Sequence, residues 1–311
     1  MPKSNCLALM SIILCLLLNV SQSERLFADD KKLKPEEVVA NHLQSLGKPE
    51  LVQKMQSRTF KGTTSFEFIQ GMSGSSSTGQ LVFASERNKL GLVLKYNDLN
   101  YPGEYFAYNG EDVTVGHIRP GQRSPLADFI YRYSGLMKEG LLGGVWSISW
   151  PLLDIQKKQP MLKYKAAKVD GRKLHELEYR AQKGLGDVKV KLFFDFETYR
   201  HVRTEYRVQV KDDQSTRREG ASRRQSVGIT RYPGDAAGSE IFDVAPDSIY
   251  VLVEKFDDFH DYSGLMLPAV CSYEYSVEGQ GSSFVAHWTM KADAIIVHNG
   301  KVREDFFTAQ K

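Results

Sequence analysis

Apolar residues in this chain recur at every second position, segment after segment, and that period limits what the chain can become. A period of two puts alternate side chains on one face of a β-strand. Thr64, Phe66 and Phe68 share such a face, as do Leu81, Phe83 and Ser85, then Leu90, Leu92, Leu94 and Tyr96. Between the first two sets, 71–79 reads as a Gly/Ser turn. Asn109-Gly110, between Tyr105–Tyr108 and Val113–His117, is a hairpin signal, because both residues accept the positive φ of a tight turn. The clearest apolar face is Val188, Val190, Leu192, Phe194 and Phe196; Val202, Thr204, Tyr206, Val208 and Val210 answer it after a turn at Glu197-Thr198. Later strands are expected at Tyr250–Lys255, Ala269–Val277 and Phe284–Val297. The 16 Phe, 15 Tyr and 25 Gly suit such a chain, since aromatics favour strands and glycine favours turns.

The period changes in two places. Pro35-Glu36-Glu37 opens a helix, with proline tolerated in the first turn and carboxylates favoured at the positive end of the dipole. Val38, Val39, His42, Leu43 and Leu46 follow at helical spacing, and Gly47 ends it; Leu51, Val52 and Met55 make a short second piece. Leu126, Phe129, Ile130, Tyr133, Met137 and Leu141 recur at threes and fours, which predicts one amphipathic helix inserted between strands and closed by Gly143-Gly144. Trp146, Trp150, Pro151, Leu152 and Leu153 form an apolar connector after it. About ten antiparallel strands with helices only at the start and midway do not make βαβ units. They predict an α+β fold, one large curved sheet wrapped on helices. No Pro/Gly-rich linker divides the chain, so 24–311 is read as one domain.

The N-terminus reads as an export signal. Lys3 supplies positive charge, Leu7–Leu18 is a nearly unbroken apolar run, and Ser21 and Ser23 flank Gln22 as small-x-small. The run is shorter than the roughly 20 residues that span a bilayer. Cleavage is placed after Ser23, giving a signal peptide at 1–23; an uncleaved anchor is the rival reading. Cleavage removes Cys6 and Cys15 and leaves Cys271 as the single thiol, expected to be buried in a strand. One cysteine and no Asn-x-Ser/Thr sequon beyond the signal suit a bacterial periplasm or cell envelope.

Composition and motifs exclude several classes. Forty-one Lys and Arg against 38 Asp and Glu give a net charge of +3, too balanced for a dedicated nucleic-acid binder. There is no P-loop, G-x-G-x-x-G, H-E-x-x-H or G-x-S-x-G sequence, so no cofactor and no catalytic residue is assigned. Asp257, Asp258, His260 and Asp261 form the one dense carboxylate–histidine cluster. No second ligand group accompanies it, and it is read as a solvated turn rather than a metal site. Arg217, Arg218, Arg223 and Arg224 make a basic cluster in the polar segment Lys211–Gly228. It reads as a solvated loop, with contact to anionic headgroups or an acidic partner as the alternative.

Three stretches in order resemble the periplasmic lipoprotein-sorting and lipid-carrier proteins, the LolA/LolB-like group. The first is the Pro35–Leu46 helix with Val39-x-x-His42-Leu43-x-x-Leu46, followed by Phe60-x-Gly62 leading into strands. The second is Val169-Asp170-Gly171-Arg172-Lys173-Leu174-x-x-Leu177 and the strand pair after it. The third is Phe259-x-x-Tyr262-Ser263-Gly264-Leu265-Met266-Leu267-Pro268. The resemblance implies an incomplete, unclosed antiparallel β-barrel with an apolar concave face and a helical lid. It implies carriage of a lipid, an acyl chain or a lipid-modified protein. The chain is longer than the shorter carriers and has a different lid sequence, and no family arginine aligns to a position in it.

Phe66, Phe68, Leu81, Phe83, Leu92, Leu94, Phe194 and Phe196 are therefore the candidate cavity lining, and Phe129, Ile130, Tyr133 and Met137 the candidate lid. Each is also compatible with ordinary core packing and a permanently docked helix. The first functional reading is a non-catalytic periplasmic carrier. The second is an envelope scaffold or sensor of the same fold that binds a protein partner and carries no lipid.

Overall fold

The computed structural model describes residues 33–70, 75–210, 248–279, 282–298 and 302–309. The signal segment 1–23, the first four residues of the Gly/Ser turn, the polar segment Lys211–Gly228 and its arginine cluster lie outside the described residues.

The alternating segments form strands β1 (Ser57–Gln70), β2 (Ser76–Glu86), β3 (Lys89–Tyr96), β4 (Gly103–Tyr108), β5 (Val113–Val115), β6 (Met161–Val169), β7 (Arg172–Arg180), β8 (Lys189–Asp195), β9 (His201–Val210), β10 (Ser248–Tyr262), β11 (Leu265–Gly279) and β12 (Ser282–His298). Consecutive strands pair antiparallel, so β1–β5 and β6–β12 are two meanders. Pairing of β1 with β12 joins them into one sheet in the order β5-β4-β3-β2-β1-β12-β11-β10-β9-β8-β7-β6. The two ends, β5 and β6, do not pair with each other, so the barrel is unclosed. This is the architecture implied by the LolA/LolB resemblance. The sequence reading did not resolve β6, and β10 runs longer than Tyr250–Lys255 at both ends.

Helix α1 (Pro35–Leu46) buries Val38, Val39, His42 and Leu46. It is followed by an isolated bridge from Gly47 to Leu265, at the start of β11, and by the short helix α2 (Pro49–Lys54). Between β5 and β6 the chain leaves the sheet and crosses its apolar side as an insert, residues 116–160. Here the structure departs from the expected single helix. The insert contains α3 (Pro125–Arg132), α4 (Gly135–Glu139), 3-10 turns at Gly144–Trp146 and Pro151–Asp154, and α5 (Ile155–Lys158). Ser124 caps α3 by accepting the Ala127 N–H at 2.9 Å. The helix ends at Tyr133, where the backbone leaves the helical region (φ −105°, ψ 41°). The apolar stripe survives the break, because Leu136 and Met137 are buried in α4 as Phe129 and Ile130 are in α3. A stripe at threes and fours therefore records a continuous buried face, not a continuous helix.

A C-terminal strap covers the opposite, convex face. Val302 N–H donates to Glu86 at 2.7 Å, Tyr105 Oη to the Phe306 carbonyl at 2.8 Å, and Ala309 N–H to Thr114 Oγ1 at 2.8 Å. Phe307 is buried beneath it.

Candidate functional site: the insert on the concave face

The inward face is aromatic because inward positions on neighbouring strands fall in register. Phe60 of β1 pairs with Phe83 of β2, and Leu81 and Phe83 pair with Leu94 and Leu92 of β3. Phe66, Phe68, Leu81, Phe83, Leu92, Leu94 and Phe194 are all buried. The structure places their rings in three groups. Phe66 and Phe68 pack against Tyr101 at 4.6 and 5.0 Å between ring centres, and Phe66 against Tyr96 at 4.7 Å. Phe60 stacks on Trp146 of the insert at 4.5 Å, with Phe83 edge-on to the same indole at 5.5 Å. Across the sheet, Phe194 lies 4.8 Å from His42 of α1 and 5.5 Å from His201. Phe196 is set apart: half-exposed in the turn after β8, it stacks on His175 at 4.6 Å. Of the four lid residues, Phe129, Ile130 and Met137 are buried and Tyr133 is half-buried. Phe129 reaches Tyr275 of β11 at 5.4 Å.

Polar side chains of the sheet and α1 hold the insert in place, and the sequence reading had assigned none of them a site role. Glu254 Oε1 accepts the Gly143 N–H at 2.7 Å, while Oε2 accepts the Tyr206 hydroxyl at 2.6 Å. Tyr206 Oη also lies 3.0 Å from the Leu141 carbonyl. At the other end of the insert, Glu104 accepts the Tyr101 hydroxyl at 2.6 Å and the Ser124 hydroxyl. Arg58 donates to the Val145 carbonyl, Trp146 Nε1 to the Pro268 carbonyl at 2.9 Å, and the Ile148 N–H to Ser85 Oγ at 3.1 Å. Trp150 Nε1 donates to His42 Nε2 at 3.2 Å, so His42 carries its proton on Nδ1, which faces the Tyr199 carbonyl at 3.1 Å. A buried donor or acceptor left unpaired costs about 1–3 kcal/mol, so these bonds fix the insert's register on the sheet. Two glycines let its backbone come close. A side chain at Gly143 (φ +79°) would meet the Phe83 ring at 2.7 Å, and one at Gly144 (φ +46°) the Phe256 ring at 2.6 Å.

The electrostatics follow from burial. Glu254 and Glu104 make no ion pair among the described residues, and desolvation pushes each up to about 7 against the restraint of its hydrogen bonds. Burial pushes His42 down to about 4, and it pushes His201 well below the usual imidazole range, helped by its neighbour His42. Burial lowers Arg58 to about 10 and raises the Cys271 thiol well above its usual range. Cys271 sits in β11, as the sequence led one to expect. The signal for the anchors was parity: Glu254 alternates with Leu252 and Phe256, and Glu104 with Phe106, all buried. A charged residue at an inward position of a strand marks a buried polar contact.

Elsewhere, His260 Nε2 lies 2.8 Å from Asp258 Oδ1, both about half exposed, and Asp261 caps the turn by accepting the Gly264 N–H at 2.7 Å. Among the described residues no three His, Cys, Asp or Glu side chains gather as a metal site. A shallow open depression of about 570 Å³ lies between α1, α2 and the β10–β11 turn, lined by Gln44, Lys48, Leu51 and Asp261.

No family profile matches the chain, and no curated protein matches it. Among solved structures it is similar to a LolA superfamily protein from Nitrosomonas europaea (8% identity, TM-score 0.40, 89% of this chain and 98% of that one). It is similar to a DUF1329 family protein from Desulfovibrio piger (13% identity, TM-score 0.39, 88% and 96%). A further similarity, at a TM-score of 0.21 and 12% identity, is to the MucA/MucB complex structure from Pseudomonas aeruginosa, covering 84% of this chain and 99% of that one.

Proposed function

We propose that this is an exported, non-catalytic binding protein of the bacterial periplasm or envelope that offers a fixed surface to a protein partner. One observation carries the reading: the insert is built into the concave face as core. Eleven large apolar side chains between Leu126 and Leu152 are buried. Each buried side chain of this kind contributes about 1.5–3 kcal/mol to the fold, so the insert is part of what holds the domain together. Lifting the insert would expose these side chains to water, which favours a concave face that stays covered and serves as a scaffold.

The carrier reading is favoured by a different observation, the two aromatic clusters beneath the insert, one around Phe60 and Phe83 and one around Phe66 and Tyr101. It takes a lipid, an acyl chain or a lipid-modified protein as cargo. The discriminating experiment is organic extraction of protein purified from its own envelope, with titration of a fluorescent fatty acid. The proposed reading expects an empty extract and no saturable uptake. Lipid recovered at about one molecule per protein would overturn it in favour of the carrier.

A further inference from the structure

The two ends of the open sheet are treated differently. The β5 end is three residues long, has α3 packed beside it, and has its Thr114 tied to the C-terminal strap. The β6 end is a nine-residue strand in unbroken register with β7, from Met161 opposite Arg180 to Val169 opposite Arg172. None of its residues is buried, it contains no proline, α1 packs near it, and among the described residues no strand pairs with its outer side. Such an edge is a template for another strand.

Its charge is lopsided. Lys157–Lys173 holds seven Lys or Arg and one acidic residue, Asp170, in a chain whose total is 41 against 38. Lys158, Lys165 and Arg172 are paired with Glu139, Glu176 and Asp195. Lys163 and Lys168 are exposed, on opposite faces of the strand, and make no ion pair among the described residues. A second copy of β6 laid along this edge would set lysines against lysines, a repulsion that protects the free protein from self-association. An extended acidic segment meets no such barrier.

We propose that the free edge of β6 binds an extended acidic segment of a protein partner as a thirteenth strand. Main-chain hydrogen bonds supply the register, and Lys163 and Lys168 select for carboxylates on both faces. This rests on the protein-partner reading above and names where and with what chemistry the partner docks.

The test uses the mature chain and a capped nine-residue peptide of repeating Glu-Glu-Thr-Thr, which as a strand carries carboxylates on both faces, with a Lys-Lys-Thr-Thr peptide as control. The acidic peptide is expected to bind and to slow hydrogen exchange in Met161–Val169; K163E/K168E, melting like the wild type, should weaken it about tenfold and K163Q/K168Q by less. The inference is overturned if the acidic peptide does not bind or both peptides bind alike. It is also overturned if protection falls outside β6, or if the loss on charge reversal is seen only with phosphatidylglycerol vesicles or as a change in self-association. Lipid in the organic extract speaks against the partner reading itself. An empty extract with no binding at β6 leaves that reading standing and removes this one.

Discussion

Two buried carboxylates and two buried imidazoles lie in the same packed interior, and their titrations oppose each other. Glu104 and Glu254 are held at about 7 in the folded protein against 4.5 for an ordinary glutamate. Below 4.5 both states keep the proton; between 4.5 and 7 only the folded state does, so stability falls as pH rises through that window. The shift is roughly 3 kcal/mol for each carboxylate, at a slope of about 1.4 kcal/mol per pH unit. His42 runs the other way. Held at about 4 against 6.5, it is neutral in the fold while the unfolded chain is protonated, so stability is lost as pH falls below 6.5. His201, also pushed down by burial, adds a slope of the same sign. Between pH 5 and 6 the falling carboxylate slopes and the rising imidazole slopes oppose each other in the wild type. Replacing both carboxylates, Glu104→Gln with Glu254→Gln, keeps acceptors for Ser124 and Gly143 while removing the titration. The variant's unfolding free energy should then rise by roughly 3 kcal/mol per pH unit relative to wild type between pH 5 and 6. Urea denaturation at half-unit steps from pH 4.5 to 8 measures it. A variant profile parallel to the wild type would refute the reasoning, because the carboxylates would then be ionised alike in both states.

Other outcomes follow from the same contacts. Trp146→Ala removes the indole between Phe60 and Phe83 and leaves the Pro268 carbonyl without its donor; a loss of about 3–5 kcal/mol is expected by denaturant unfolding. Gly144→Ala forces a methyl group into Phe256 at a positive φ, and should cost about 1–3 kcal/mol, read as a lower melting temperature. Cys271, buried with its thiol pushed up, should react with an aromatic disulfide reagent at the rate of global unfolding and at no faster rate in native buffer. Replacing Asp258 and His260 together, a pair at the surface, should leave both metal content and stability unchanged within about 0.5 kcal/mol.

Strands with one buried face were legible as sequence, because burial on one side writes a period of two. Leu90, Leu92, Leu94 and Tyr96 are inward and buried as the alternation required. β6 was not legible for the same physical reason: exposed on both faces, Lys163, Lys165 and Lys168 carry no apolar period. The break at Tyr133 escaped notice because tertiary burial continues across it, and a stripe reports burial alone. Pairing of β1 with β12 is a property of two distant segments, and neither segment encodes it by itself. The concave residues show in the sequence as a face, whereas Arg58, Glu104 and Glu254, which hold the insert on it, are single charged residues with no periodic pattern of their own. A charge at an inward parity position was the available signal.

The β1–β12 seam also governs how the chain reaches its native state. Phe60 lies opposite Ile295, so the ladder at the centre of the sheet forms between segments nearly the whole chain apart. Closing a loop of that length is entropically unfavourable before any contact repays it, and such topologies fold slowly. Each meander can assemble from neighbouring hairpins within its own stretch, leaving β1 and β12 as temporary open edges until they find each other. Docking of the two meanders is then the late event, and substitutions at Phe60 or Met290 should speed unfolding far more than they slow the early hairpins. A molecule released before β12 is complete carries two unpaired central edges, one on β1 and one on β11, and these are where it would aggregate.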